Sequence, residues 1–265
     1  MKTLKYDYPI FFKDNNKPKN PIIFVHGFNS MPEIHNVFMD QWTLSDYYAL
    51  AFPGNNMLEP KNGDDVSVES FADLIIKFIK DNNLKDVVLI GHSMGGGTIS
   101  LTYKKEPKLF VKMIYVSPMN KTLLERKEEF FKLFSPTTFE AYKNLLATLS
   151  PIYGQALQDP MVEARERKNF ESGIVNNPYI MKLGYSLADE NLHNAIEAGI
   201  KSIDVPILLV LGESDMIINC EKTKAYFKTL AKKIRVEVIQ NAGHVPFYEN
   251  FIKYFTLLTE FYLEK

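Results

Sequence analysis

The chain has 265 residues, long enough for one large domain or for a core domain with an inserted smaller one. Hydrophobic residues make up 46% and charged residues 24%, which excludes disorder, coiled coil and collagen as the main architecture. With 31 Lys and Arg against 32 Asp and Glu the net charge is -1, so no overall field recruits nucleic acid or anionic lipid.

The single cysteine, Cys220, cannot close an internal disulfide. The five histidines (His26, His35, His92, His193, His244) show no Cys/His metal spacing, so a reducing compartment and no metal or other cofactor are expected. No apolar run approaches the eighteen or so residues of a membrane span, and charge interrupts the first seven residues before a signal-peptide core develops. The expectation is a soluble, cytoplasmic protein.

In chain order, the first buried-strand pattern is Ile22–Val25, brief, apolar and β-branched. A weaker one covers 48–52, ahead of Pro53-Gly54. Phe71, Leu74, Ile75, Phe78 and Ile79 then recur at helical spacing, with Ser67 as a candidate N-cap. Strand patterns return at 87–90, 113–116 and 207–211, with a weaker one at 235–239. Helical patterns fill 225–230 and 246–263. Continuous apolar strands alternating with helices predict an α/β fold whose parallel sheet is covered on both faces.

The alternation stops at Pro118 and resumes near Asp204. Residues 1–118 and 204–265 therefore read as a core domain and 119–203 as a helical insertion, with helix starts expected at Ser135-Pro136 and Asp159-Pro160.

The stretch Gly91-His92-Ser93-Met94-Gly95 contains Gly-x-Ser-x-Gly between a buried strand and a helical pattern. A serine on so sharp a turn needs neighbours without bulk two positions away, and Gly91 and Gly95 meet that need. Neither a dinucleotide nor a phosphate-loop pattern is present. A serine hydroxyl is a poor nucleophile until a base, oriented by a third group, takes its proton. His244, in a turn between the last candidate strand and the last helix, is the best-placed base. His92 is spent flanking Ser93, while His35 and His193 lie far from any strand end. The orienting acid should also follow a strand: Asp215 fits, with Glu213 as its local competitor. Cys220 reads as an incidental thiol, since no second cysteine can resolve it.

These segments resemble the α/β-hydrolase superfamily in its capped serine esterase and lipase branch. The resemblance rests on His26-Gly27-Phe28, Gly91-His92-Ser93-Met94-Gly95-Gly96, Gly212-x-x-Asp215 and Gly243-His244, in the family's order of Ser, Asp, His. It implies a mostly parallel eight-stranded sheet with helices on both faces, and a helical cap inserted after the sixth strand. It also implies an oxyanion hole made of the Phe28 and Met94 backbone N–H groups. Pro53-Gly54-Asn55-Asn56 departs from the Pro-Gly-x-Gly of many relatives, and no second glycine follows His26-Gly27. Ser93, where an aspartate would stand in a dehalogenase or epoxide hydrolase, excludes both.

The expected function is cleavage of a small, apolar-acyl carboxylic ester through an acyl-enzyme, with no nucleic-acid partner and an open oligomeric state. On the same triad, attack on a thioester, an amide or an amino-terminal prolyl peptide, or acyl transfer, is the alternative within the class. An inactive ligand-binding module is the alternative outside it.

Overall fold

Seven strands form one sheet in the computed structural model, which describes residues 3–264. Met1 and Lys2, which head the stretch read for an export signal, lie outside the described residues, as does Lys265. The strands are β1 (Ile10–Lys13), β2 (Ile22–Val25), β3 (Tyr47–Leu50), β4 (Val87–His92), β5 (Phe110–Val116), β6 (Ile207–Gly212) and β7 (Ile234–Ile239). Their order across the sheet is β1-β3-β2-β4-β5-β6-β7, with β1 antiparallel to β3 and all other pairs parallel.

The architecture is the expected α/β one, with seven strands among the described residues rather than eight. The segment ahead of β1, residues 3–9, forms no strand. The Lys5 N–H goes to the Asn82 side chain, the Tyr6 hydroxyl to Ala51 O and the Tyr8 hydroxyl to Asp64, while Pro9 has no N–H for a ladder.

Along the central strands successive residues face opposite layers, which is why their runs are apolar throughout. Ile23, Val25, Leu89 and Leu209 belong to one core, and Ile22, Phe24, Val88 and Leu208 to the other. Three helices lie between the early strands: α1 (Asn36–Gln41), α2 (Val68–Asp81) and α3 (Met94–Lys105). Ser67 caps α2 by accepting the Ser70 N–H at 3.2 Å. Between β5 and β6 the chain is helical only, with α4 (Lys127–Phe134), α5 (Phe139–Leu149), α6 (Pro151–Ala156), α7 (Pro160–Glu171), α8 (Pro178–Ser186) and α9 (Glu190–Ser202). Then come α10 (Cys220–Leu230), α11 (Pro246–Glu249) and α12 (Phe251–Leu263). None of these helices is long and apolar enough to cross a membrane.

Two expected boundaries move. No helix starts at Ser135-Pro136; Ser135 instead terminates α4, because a residue before proline is pushed out of the helical region. Thr138 caps α5, accepting the Ala141 N–H at 3.2 Å. The expected helix over 246–263 is two, broken at Asn250 (φ -144°, ψ 66°), whose side chain caps α12. Asp159 caps α7 as expected.

Within the 119–203 segment, Phe139, Tyr142, Leu145 and Val175 form a small core of their own. α9 differs: Ile196 and Ile200 join the main core, and a Cβ added to Gly199 would meet Ser100 O at 2.5 Å.

Candidate active site

β4 delivers Ser93 directly onto the start of α3, with φ 54° and ψ -121°, a conformation L-residues rarely adopt. The turn is held by the Ser93 N–H donating to Val116 O at 3.0 Å and by Ser93 O accepting from Met119 N–H at 2.8 Å. Glycine is required on both sides. A Cβ at Gly91 would meet Gly95 O at 2.5 Å, and one at Gly95 would meet Val25 O at 2.2 Å. The second contact brings the start of α3 against the end of β2, where Phe28 follows.

Neither the Phe28 nor the Met94 N–H has a hydrogen-bond acceptor among the described residues. Met94 is the first residue of α3, so its N–H is one of the donors a helix leaves free at its positive end. The Phe28 loop is fixed from both sides: His26 Nδ1 lies 2.8 Å from Gly27 O, and the Asn29 N–H donates to Asn55 Oδ1 at 2.8 Å. Asn56, with φ 49°, occupies the left-handed position that the second glycine of Pro-Gly-x-Gly would take.

Asp215 and His244 come together across 29 residues, His244 Nδ1 lying 2.9 Å from Asp215 Oδ2 with both side chains almost fully buried. Asp215 Oδ1 accepts the Ile217 and Ile218 N–H groups at 2.8 and 2.9 Å. Burial pushes the Asp215 carboxyl up, but the charge and hydrogen bond of His244 and the Ile218 N–H outweigh it and hold the group below its ordinary value. An ionised Asp215 only accepts, so the Nδ1 of His244 that faces it carries a proton. Glu213 stays exposed and accepts the Asn241 N–H at 3.3 Å.

The His244 backbone is also held: its carbonyl lies 2.8 Å from His92 Nε2, and its N–H donates to Leu149 O at 3.1 Å. A carbonyl can only accept, which makes His92 Nε2 the donor. Burial, then the neighbouring His244 charge, lowers His92 to about 3, so it is neutral at pH 7. His35 bonds the Tyr47 and Tyr254 hydroxyls, and His193 lies 2.8 Å from Leu187 O, both far from Ser93 in role. Cys220 is half-buried, and burial pushes its thiol up, away from nucleophilic reactivity.

Ser93, Met94, Phe28 and His244 line one cavity of about 220 Å³. Much of its remaining wall comes from the segment between β5 and β6, through Leu123, Phe130, Phe134, Leu149 and Leu187, and from Ile217 and Ile218, while Asn29, Ser30 and Ile34 line it from the loop after β2. Among the described residues, no Asp or Glu lines it. A half-open groove of about 580 Å³ adjoins it, sharing Leu123, Phe130, Phe134 and Ile217. Leu149, Leu187 and the His92 contact were not legible as site features in the sequence, since apolar helical stripes carry no mark of which residue faces a ligand.

Comparison with known proteins bears on the family and the fold. The family model of the serine aminopeptidases, S33, matches residues 16–250. The candidate esterase/lipase 2 of Mycoplasma pneumoniae is 28% identical over 261 residues, covering 94% of this chain and 91% of the relative. In fold, the chain is similar to a candidate lipase of Acinetobacter baumannii, with a TM-score of 0.79 at 22% identity over 99% of this chain and 90% of that one. It is also similar to an esterase of Exiguobacterium antarcticum, with a TM-score of 0.71 at 17% identity over 95% and 94%. The chain thus belongs to the serine aminopeptidase S33 family and is an esterase/lipase-like hydrolase of the α/β-hydrolase superfamily.

Proposed function

We propose that the protein hydrolyses a carboxylic ester with a small, apolar acyl group, through an acyl-enzyme on Ser93. The observation that carries the reading is the convergence on one cavity of a strained serine, a histidine oriented by a buried carboxylate, and two unpaired backbone N–H groups. Ser93 Oγ adds to the ester carbonyl while His244 Nε2 takes its proton, and Asp215 steadies the imidazolium that forms. The carbonyl oxygen becomes negative and receives the Phe28 and Met94 N–H groups, a stabilisation of about 3–4 kcal/mol for each such donor in comparable sites. Collapse breaks the ester C–O bond, and His244 returns the proton to the leaving alcohol. Water, deprotonated by the same histidine, then cleaves the acyl-enzyme and frees Ser93.

Residues 119–203 act in this reading as a cap over the core domain of 1–118 and 204–265. α4, α5 and the loops around them roof Ser93, while α9 anchors the cap through Ile196 and Ile200. The 220 Å³ chamber is below the ~300–1,000 Å³ of typical ligand sites, and its walls are mostly apolar, with Asn29, Ser30 and His92 as polar members beside Ser93 and His244. A short or medium acyl chain suits it, and the adjoining groove would take the alcohol side. The single thiol of Cys220 fits a cytoplasmic setting. The names of the Mycoplasma pneumoniae and Exiguobacterium antarcticum proteins support an ester as substrate.

The family's description favours a second reading, release of an amino-terminal residue. That reaction must hold an α-ammonium, and the chamber around Ser93 offers no carboxylate to do so. One screen separates the two: p-nitrophenyl esters from acetate to palmitate beside amino-acyl and prolyl anilides. The ester reading predicts kcat/KM rising with chain length by up to about 0.8 kcal/mol per buried methylene, then falling once the chamber is full. Preference for palmitate, or faster cleavage of the anilides, would overturn it.

A further inference from the structure

The turn that carries His244 is held by groups from two distant parts of the chain. Glu249, half-buried in α11, accepts the Gly243 N–H with Oε2 and the Ser150 hydroxyl with Oε1, the latter at 2.7 Å. Ser150 belongs to the 119–203 segment, between α5 and α6, and the residue before it supplies the carbonyl that accepts the His244 N–H. Pro151, next in line, packs so closely that a Cβ added to Gly243 would meet its Cδ at 3.1 Å. The backbone of 243–244 therefore leans on the 149–151 corner twice, once directly and once through the Glu249 carboxylate.

We propose that Glu249 is a positioning residue that couples the cap to the general base: its carboxylate joins Ser150 to the Gly243 amide and so fixes the imidazole over Ser93. The inference rests on the reading of His244 as that base. Through this clamp, a substrate that displaces the 149–151 corner also displaces His244. Proton transfer from Ser93 is sensitive to such shifts, since a misplacement of about 1 Å at a reacting group can cost about 100-fold. Substrate binding is less exposed, because Glu249 and Ser150 do not line the chamber.

The test compares wild type with Glu249→Ala, Glu249→Gln, Ser150→Ala and the Ser150→Ala/Glu249→Ala double variant, read by kcat and KM on p-nitrophenyl butyrate. Glu249→Ala should lower kcat about 10- to 100-fold with KM changed less than about threefold. Glu249→Gln, which keeps an oxygen for the Gly243 amide, should recover kcat to within about threefold of wild type. Ser150→Ala should lower kcat about three- to tenfold alone and have no further effect in the Glu249→Ala background, because both act through one carboxylate. Wild-type kcat in Glu249→Ala, an effect confined to KM, or additive losses would overturn the proposal.

Amide hydrogen exchange over 241–246 supplies an arm that needs no turnover. Faster exchange in Ser150→Ala and Glu249→Ala supports the clamp even if wild type cleaves no ester, a result that would sink the ester reading alone. If Glu249→Ala does not fold, Ser150→Ala decides, and unchanged exchange together with unchanged kcat overturns the inference.

Discussion

Asp215 and Glu213 leave β6 two residues apart, and their side chains meet opposite fates. Asp215 turns inward, where the Ile217 and Ile218 amides and His244 surround it; Glu213 points to solvent and bonds Asn241. If Asp215 orients His244, Asp215→Asn should lower kcat by about three to four orders of magnitude, because an amide facing Nδ1 imposes the wrong tautomer. Glu213→Gln should stay within about tenfold of wild type. Steady-state kinetics on one ester measures both, and the reverse ranking would move the acid to Glu213. At this scale the sequence pointed to Ser93, Asp215 and His244 through their turns, but two carboxylates on one loop were separable only by the direction each side chain takes.

At the scale of elements, caps and edges account for what was read and what was missed. Ser135-Pro136 carries the letters of a helix start, yet proline restricts the residue before it as strongly as it favours the helix after it. Here the restriction prevails and α4 ends. Thr138→Ala should therefore destabilise the protein by about 1 kcal/mol and Ser135→Ala by less than about 0.5 kcal/mol, read as shifts in the urea midpoint at constant slope. Equal losses would mean that the Thr138 hydroxyl does not cap α5. The central strands were legible because burial on both faces demands unbroken apolar runs. β1 and β7 lie at the sheet edges and are mostly half-buried; the apolar run of β1 stops at Lys13 after three residues, and β7, with Arg235 and Glu237, shows the pattern weakly. The contact between the 149–151 corner and His244 spans nearly a hundred residues, a distance at which no local periodicity operates.

For the whole molecule, burial of histidines sets the response to acid. Burial pushes His26 down to about 4 and His92 to about 3, and holds His35 and His193 below their ordinary value. The unfolded chain binds protons at about 6.5 and the folded chain does not, so unfolding takes up protons below that pH. Stability should be complete above about pH 6.5 and decline as pH falls towards 4, by up to about 1.4 kcal/mol per pH unit for each fully buried histidine. Thermal unfolding at pH 7, 6 and 5 measures it, and a Tm that is flat or rises on acidification would contradict the burial described. This behaviour was not legible from composition, because a histidine count does not say how many are sealed between a sheet and its helices.

The central claim, that Ser93 is an activated nucleophile served by His244, is tested most directly by mass spectrometry of the protein after reaction with a fluorophosphonate. The account predicts a single adduct on the peptide containing Ser93, absent in Ser93→Ala, whose ester turnover should also fall by about three to six orders of magnitude with folding intact. No adduct on well-folded wild-type protein, or turnover within tenfold of wild type in Ser93→Ala, would contradict it and favour a ligand-binding module on a hydrolase fold.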